Sequence, residues 1–331
     1  MDERLVAKSD LDEECPLIPM LEWGMTRLAI ISHPDCLLHE MGQWHPECPE
    51  RLKAIADAVS ASGLDPLHFE APLATHEQLK RVHSAGHIRE IEAASPKSGL
   101  FQLDPDTFMN PHTLQAARRA AGAVVSGVDK IMNDEIDAAF CNVRPPGHHA
   151  TREKAMGFCI FNNVAVGAAH ALEHHGLERV AIVDFDVHHG NGTEDIFRHD
   201  SRVLMVSIFQ HPFYPYCGTE GRSKHMVNIP LPMGSGGAAL REAVENDWIP
   251  ALEAFMPQMI FFSAGFDAHI GDDMAGLAFN DADYAWVTQR IGKIAERHAR
   301  GRMVSTLEGG YALSVLGRSA LAHIRALATP G

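Results

Sequence analysis

The chain has no apolar run near the ~18 residues that a membrane-spanning helix needs, so no membrane span is expected. It is also short of basic residues. Lys and Arg total 28 against 43 Asp and Glu, a formal net charge of -15 at pH 7. That balance argues against a broad basic surface gripping phosphates, so direct nucleic-acid binding is not expected, whereas a cationic substrate would be attracted. Cysteine is scarce too. The six (Cys15, Cys36, Cys48, Cys141, Cys159 and Cys217) include no C-x-x-C pair. This excludes a disulfide framework or a cysteine-rich zinc cluster, and reduced thiols in a cytoplasmic protein are expected. The opening Met-Asp-Glu-Arg lacks the basic start of a signal peptide. Neither an internal repeat nor a low-complexity linker breaks the 331 residues.

What the chain does have is a hydrophobic fraction of 46%, enough for a large core, and 21 histidines. Residues 1–25 are acidic, contain proline and have little periodicity, and read as an N-terminal extension. From residue 26 to 331 short apolar runs alternate with helical patterns. Strands are expected at Leu28–Ser32, Ala138–Val143, Val180–Asp186, Val203–Phe209, Met259–Ser263 and Met303–Leu307. Helices are expected at Pro49–Ser62, Pro111–Asn133, Phe161–His175, Gly237–Phe255, Asp281–Arg300 and Ala312–Ala328. Runs such as Ala181–Val183 and Ile260–Phe262 are apolar on both faces, the mark of a parallel sheet covered by helices on both sides. The reading is one α/β domain with a mostly parallel central sheet.

In such sheets ligands bind just beyond the carboxyl ends of the strands. Four polar clusters fall there: R-P-P-G-H-H-A (144–150), D-F-D-V-H-H-G-N-G-T (184–193), S-A-G-F-D-A-H (263–269) and L-E-G-G-Y (307–311). Asp184, Asp186 and His188 are spaced by two and share one face of an extended chain. Asp186 and His188 suit a divalent metal, and Asp267 from another strand end would complete three ligands with a position open for water. The rival reading of the D-x-D is a helix cap. His148 and His149 follow a stiff Pro-Pro-Gly turn and suit general acid–base work near neutral pH. Tyr311 follows two glycines, where a phenol has room to donate to an oxyanion. His39, His211 and His269 read as solvated loop histidines near the pocket rim.

Together with H-P-E-C-P-E-R (45–51) and G-F-C-I-F-N-N (157–163), these motifs resemble the histone deacetylase family of zinc-dependent amidohydrolases on the arginase–deacetylase fold. The resemblance covers roughly residues 26–328. Asn191 and Glu308 make it look like the class II branch and its bacterial relatives. It implies one zinc held by Asp186, His188 and Asp267. His149 would be the general base on the attacking water, His148 its electrostatic partner or acid, and Asn191 the residue facing the second nitrogen of His149. Tyr311 would polarise the amide carbonyl, and Asp184 would buttress the first histidine. The resemblance further implies potassium bound by Asp184, Asp186, His188, Ser207 and Ile208, and a second monovalent site around Phe197, Asp200 and Val203. Gly157, Phe158, Tyr214, Met274 and Gly310 match the acyl-lysine tunnel. Arg51 matches the arginine at the foot of the pocket, where acetate would leave.

The expected partners are an acylated lysine peptide or a small acylated amine. Met274 stands where relatives specialised for acetylated polyamines tend to carry an acid, and the peptide-clamping acid before Pro105 is not matched, Asp104 being out of register. Three rival readings are an acetylpolyamine amidohydrolase, a binuclear manganese ureohydrolase on the same fold, and an inactive acyl-lysine-binding module. The ureohydrolase would need a second bridging ligand set. The inactive module would be expected to lack Tyr311 or one histidine of the pair. Oligomeric state is not legible in the sequence.

Overall fold

The computed structural model describes residues 26–220 and 223–329. The extension read at residues 1–25 lies outside them. The strands are β1 (Leu28–Ser32), β2 (Leu67–Glu70), β3 (Phe101–Asp104), β4 (Thr107–Met109), β5 (Ala138–Cys141), β6 (Val180–Asp184), β7 (Val203–Gln210), β8 (Met226–Leu231), β9 (Ile260–Ala264) and β10 (Met303–Leu307). The helices are α1 (Glu50–Ala61), α2 (His76–Lys80), α3 (Ala85–Ala94), α4 (Thr113–Met132), α5 (Asn163–Glu173), α6 (Asn191–Phe197), α7 (Gly237–Ala243), α8 (Ile249–Phe255), α9 (Asp281–His298) and α10 (Leu313–Ala328).

Eight strands form one sheet in the order β2-β1-β5-β10-β9-β6-β7-β8, and every pairing in it is parallel. Alternate side chains point to opposite faces. Ile31, Ala139 and Val304 lie under α4, and Phe261 lies under α5. Their neighbours Phe140, Phe262 and Ser305 meet His323 of α10 on the other face, where α1, α9 and α10 pack side by side. The sheet is therefore covered on both sides, which is why its inner strands are fully buried and read as unbroken apolar runs.

Four strands are absent from the sequence reading: β3 and β4, which pair as a separate two-stranded sheet, and the two edges of the main sheet. β2 is largely exposed and carries little apolar pattern. β8 contains Pro230, tolerated where one side of a strand needs no partner. The single helix expected over Gly237–Phe255 is interrupted. A π-helical turn, Val244–Trp248, separates α7 from α8, widening the coil just before Pro250, whose ring and missing N–H an ordinary α-turn would not accept. Capping boxes start α2 (Thr75 with Gln78) and α9 (Asn280 with Asp283). Cys36, Cys48, Cys141, Cys159 and Cys217 are free thiols. Among the described residues no helix is long and apolar enough to cross a membrane.

Candidate active site

The four strands that end in polar clusters, β5, β10, β9 and β6, are consecutive in the middle of the sheet. Asp184 pairs in register with Ser263, and Ser263 with Thr306, so the segments that follow emerge side by side. This adjacency brings residues more than a hundred positions apart into one pocket.

Asp186, His188 and Asp267 are buried, and each offers a ligand atom within 4.8 Å of the other two. His188 Nδ1 lies 3.0 Å from Asp186 Oδ1 and 3.3 Å from Asp267 Oδ2. Backbone N–H groups fix the remaining oxygens: Gly309 donates to Asp186 Oδ2 at 2.8 Å and Val187 to Asp267 Oδ1 at 3.0 Å. A side chain at position 309 would strike both carboxylates, so only glycine lets β10's loop close over them. Asp267 Oδ2 is buried without a hydrogen-bond partner, an expensive state for a carboxylate that a metal ligand would explain. Burial and the nearby Asp186 charge raise the Asp267 carboxyl, whereas His148 and His188 overcome burial and hold Asp186 low. Burial opposes a charge on His188, yet the two carboxylates pull it up to about 9. The field at this point favours positive charge, and the donor set of two carboxylates and one imidazole fits a divalent ion.

The two adjacent histidines have different partners. His148 Nδ1 donates to Asp184 Oδ2 at 3.0 Å, and its Nε2 lies 3.9 Å from Asp186 Oδ2. Burial works against the imidazolium, but Asp184 and Asp186 outweigh it and lift His148 to about 10. His149 Nδ1 donates to the amide oxygen of Asn191 at 2.7 Å, leaving Nε2 with its lone pair. Burial, then the charges of His148 and His188, push His149 well below the ordinary imidazole value. A neighbouring pair with divergent titration is the usual arrangement of an acid and a base. Glu308 holds the turn beneath them, accepting from Gly147 N at 2.6 Å and His148 N at 3.1 Å.

Tyr311 is braced from three directions. Arg51 lies 4.9 Å over its ring, and Phe158 meets it edge-on at 5.8 Å. Asp272 accepts from Tyr311 N at 2.6 Å and from Ala312 N at 2.9 Å. Arg51, fully buried, also donates to Gly310 O at 2.6 Å, to the Glu308 carbonyl and to Glu47. Glu47 is shared with Arg144, which donates to both its oxygens and to the carbonyls of Cys36 and His39.

Gly157 and Phe158 both have positive φ, 57° and 66°, which turns the loop against His149. A Cβ at Gly157 would lie 2.5 Å from His149 Cδ2 and 3.0 Å from the Tyr214 hydroxyl. Tyr214 meets His149 edge-on at 5.2 Å, and its neighbour Phe213 stacks on His188 at 5.4 Å. Burial, followed by the negative charges of Asp106 and Asp104, pushes the Tyr214 phenol up. The β3–β4 hairpin touches the same wall, with Thr107 Oγ1 accepting from Phe158 N at 2.9 Å. Asp104 on that hairpin is paired with Lys154 at 2.8 Å.

The structure thus gathers Asp184, Asp186, His188, Asp267, His148, His149, Asn191, Tyr311, Gly157, Phe158, Tyr214, Gly310 and Arg51 at one pocket. Met274 is half-buried in the adjoining loop, its N–H bonded to Asp272. Ser207 sits beside Asp184 in register with Ile208 next to it, all buried. Phe197, Asp200 and Val203 occupy one turn away from the pocket, joined by Asp200 N to Phe197 O and Val203 N to Asp200 O. Two of the loop histidines correct the sequence reading. His39 is fully buried, 2.8 Å from Thr113 Oγ1 and 3.3 Å from Glu47. His269 is buried as well, 3.4 Å from Asp281. Their immediate neighbours, Leu38 and Glu40 for the first and Ala268 and Ile270 for the second, carry no regular pattern that marks burial, and the contacts that enclose them come from other elements. Glu47, Arg144, Asp272 and Phe213 were not singled out as site residues. The first two lie inside quoted motifs, which was the available signal.

Residues 45–327 match the family model described as the histone deacetylase domain. The chain is 37% identical to the histone deacetylase-like amidohydrolase of Pseudomonas aeruginosa, over 89% of this chain and 82% of that one. It is 38% identical to a probable deacetylase of Archaeoglobus fulgidus, over 86% of this chain and 81% of that one. Among solved structures it is similar to the HDA15 HD domain, with a TM-score of 0.85, 34% identity and coverage of 92% of this chain and 88% of the other.

Proposed function

The chain belongs to the histone deacetylase family, a family of deacetylases and amidohydrolases, and from that premise we propose that it is zinc-dependent and removes acetyl or related acyl groups from lysine side chains or similar amines. One observation carries the reading. Asp186, His188 and Asp267 converge while buried, and Asp267 Oδ2 has no hydrogen-bond partner. Two carboxylates and one imidazole would hold zinc and leave a coordination position open. When bound, zinc supplies Lewis acidity, making water a better nucleophile and the amide a better electrophile.

The chain's own groups do the rest. His149, with its proton held on Nδ1 by Asn191, takes the proton of the attacking water at Nε2. His148, kept cationic by Asp184 and Asp186, steadies the developing negative charge and protonates the departing amine. Tyr311 donates its O–H to the carbonyl oxygen as that atom gains charge. Gly157, Phe158, Tyr214 and Gly310 form the channel for the methylene stem of lysine, and acidic residues such as Asp106 attract cationic flanking sequence. All three nitrogens of the Arg51 guanidinium donate within the protein, and the second N–H of a terminal nitrogen would meet the leaving acetate. Potassium would be held by backbone oxygens of Asp184, Asp186 and His188 with Ser207 and Ile208, and a second ion by Phe197, Asp200 and Val203. Met274, apolar where an acid would select polyamines, favours acyl-lysine.

The test is to strip the protein with chelator, add back one equivalent of zinc or two of manganese, and measure acetate release. We expect zinc to restore turnover of an acetyl-lysine peptide above that of an acetylated polyamine. Urea production from a guanidino substrate with manganese, or no turnover with zinc, would overturn the reading.

A further inference from the structure

We propose that Asp129, His170, His174 and His175 form a second metal site, suited to a divalent transition ion such as zinc or nickel, that ties the end of α5 to α4. Asp129 projects from α4, and the three histidines cluster at the carboxyl end of α5. Each offers a ligand atom, and all these atoms lie within 4.8 Å of one another. His170 Nε2 and His175 Nε2 approach the same oxygen, Asp129 Oδ1, at 2.6 and 2.7 Å. His170 and His174 are one helical turn apart, and their rings stack at 4.7 Å and 18°. The ring of His175 stands 4.8 Å from that of His174, nearly perpendicular.

A surface ion pair needs one imidazole, and the third histidine here has no part in one. Three imidazoles and a carboxylate are a full tetrahedral set for zinc and also suit nickel and copper. The negative end of the α5 dipole lies at the same point and favours a cation. One contact works against binding. Arg81 Nη1 donates to His170 Nδ1 at 2.7 Å, so His170 carries its proton on Nε2. Ligation through Nε2 moves that proton to Nδ1 and displaces Arg81, which is half-exposed and has room to turn. α5 starts beside the catalytic pocket, where Asn163 bonds Pro145 O. At ~1.5 Å per residue its histidine end is about 18 Å further on, so this site is separate from the Asp186–His188–Asp267 centre.

Native mass spectrometry of the full chain, incubated with excess zinc and desalted, counts the ions held. We expect two in the wild type and one in a His174→Ala/His175→Ala variant with unchanged deacetylase turnover. Asp267→Ala should also retain one, which separates this claim from the catalytic reading. Because His174 is exposed and His175 half-exposed, the double variant should fold, and Asp129→Asn gives a second, milder test through its melting temperature in nickel. A nickel-induced rise in the wild type that Asp129→Asn lacks supports the site. A second ion that persists in the double variant, or an Asp267→Ala protein holding none, would overturn it.

Discussion

Asp272 is expected to set the position of Tyr311, and a substitution there reads that role out. Its carboxylate accepts three backbone N–H groups, from Tyr311 at 2.6 Å, Ala312 at 2.9 Å and Met274 at 3.0 Å, in a buried setting. Asp272→Asn keeps one oxygen but points an N–H₂ group at donors on the other side. Losing a hydrogen bond to a charged group costs about 1.5–3 kcal/mol, and a loss of stability of that order is expected by urea denaturation. The catalytic effect comes through displacement. A shift of ~1 Å in a catalytic group costs about 10²-fold, so kcat should fall by roughly that factor. Tyr311→Phe deletes the donor itself and should lower kcat by about 10²–10³, or about 2.7–4 kcal/mol. If Asp272 acts only through Tyr311, the double variant should be no slower than Tyr311→Phe. The assay is kcat on an acetyl-lysine peptide for all four proteins with zinc content measured in each. Multiplied losses in the double variant, or loss of zinc in Asp272→Asn, would refute the reasoning.

Asn191→Asp places a carboxylate on the Nδ1–H of His149 and favours the imidazolium, so the acid limb of kcat/KM should move to higher pH with zinc retained. A limb that stays put, measured across pH on the same peptide, would remove the pairing. Glu47→Gln leaves the buried Arg51 and Arg144 without their shared counter-charge, which should cost about 3–5 kcal/mol of stability in urea denaturation. A stability loss below about 1 kcal/mol would show that the guanidinium groups find other compensation.

The centre of the sheet was legible in the sequence because its strands are buried on both faces, as β9 and β10 are. The edges were not. The exposure of β2 and the Pro230 of β8 remove the pattern that periodicity detects. The site was legible where its residues follow strands directly, as Asp186, His188, His148, His149 and Tyr311 do. The supporting residues were harder, since Asp272 acts through main-chain groups about forty positions away and Glu47 reaches Arg144 across 97 positions. No local spacing encodes such contacts. His39 shows the converse, a loop histidine enclosed by Thr113 and Glu47 from elsewhere in the chain.

The central claim is that Asp186, His188 and Asp267 hold the zinc on which amide hydrolysis depends. Asp267→Ala, purified beside the wild type and given equimolar zinc, tests it most directly when activity and zinc at this centre are followed together. The account predicts that the variant loses the zinc held at this centre and loses acetate release from an acetyl-lysine peptide. Near-wild-type turnover, or zinc still held at this centre at wild-type affinity, would contradict it.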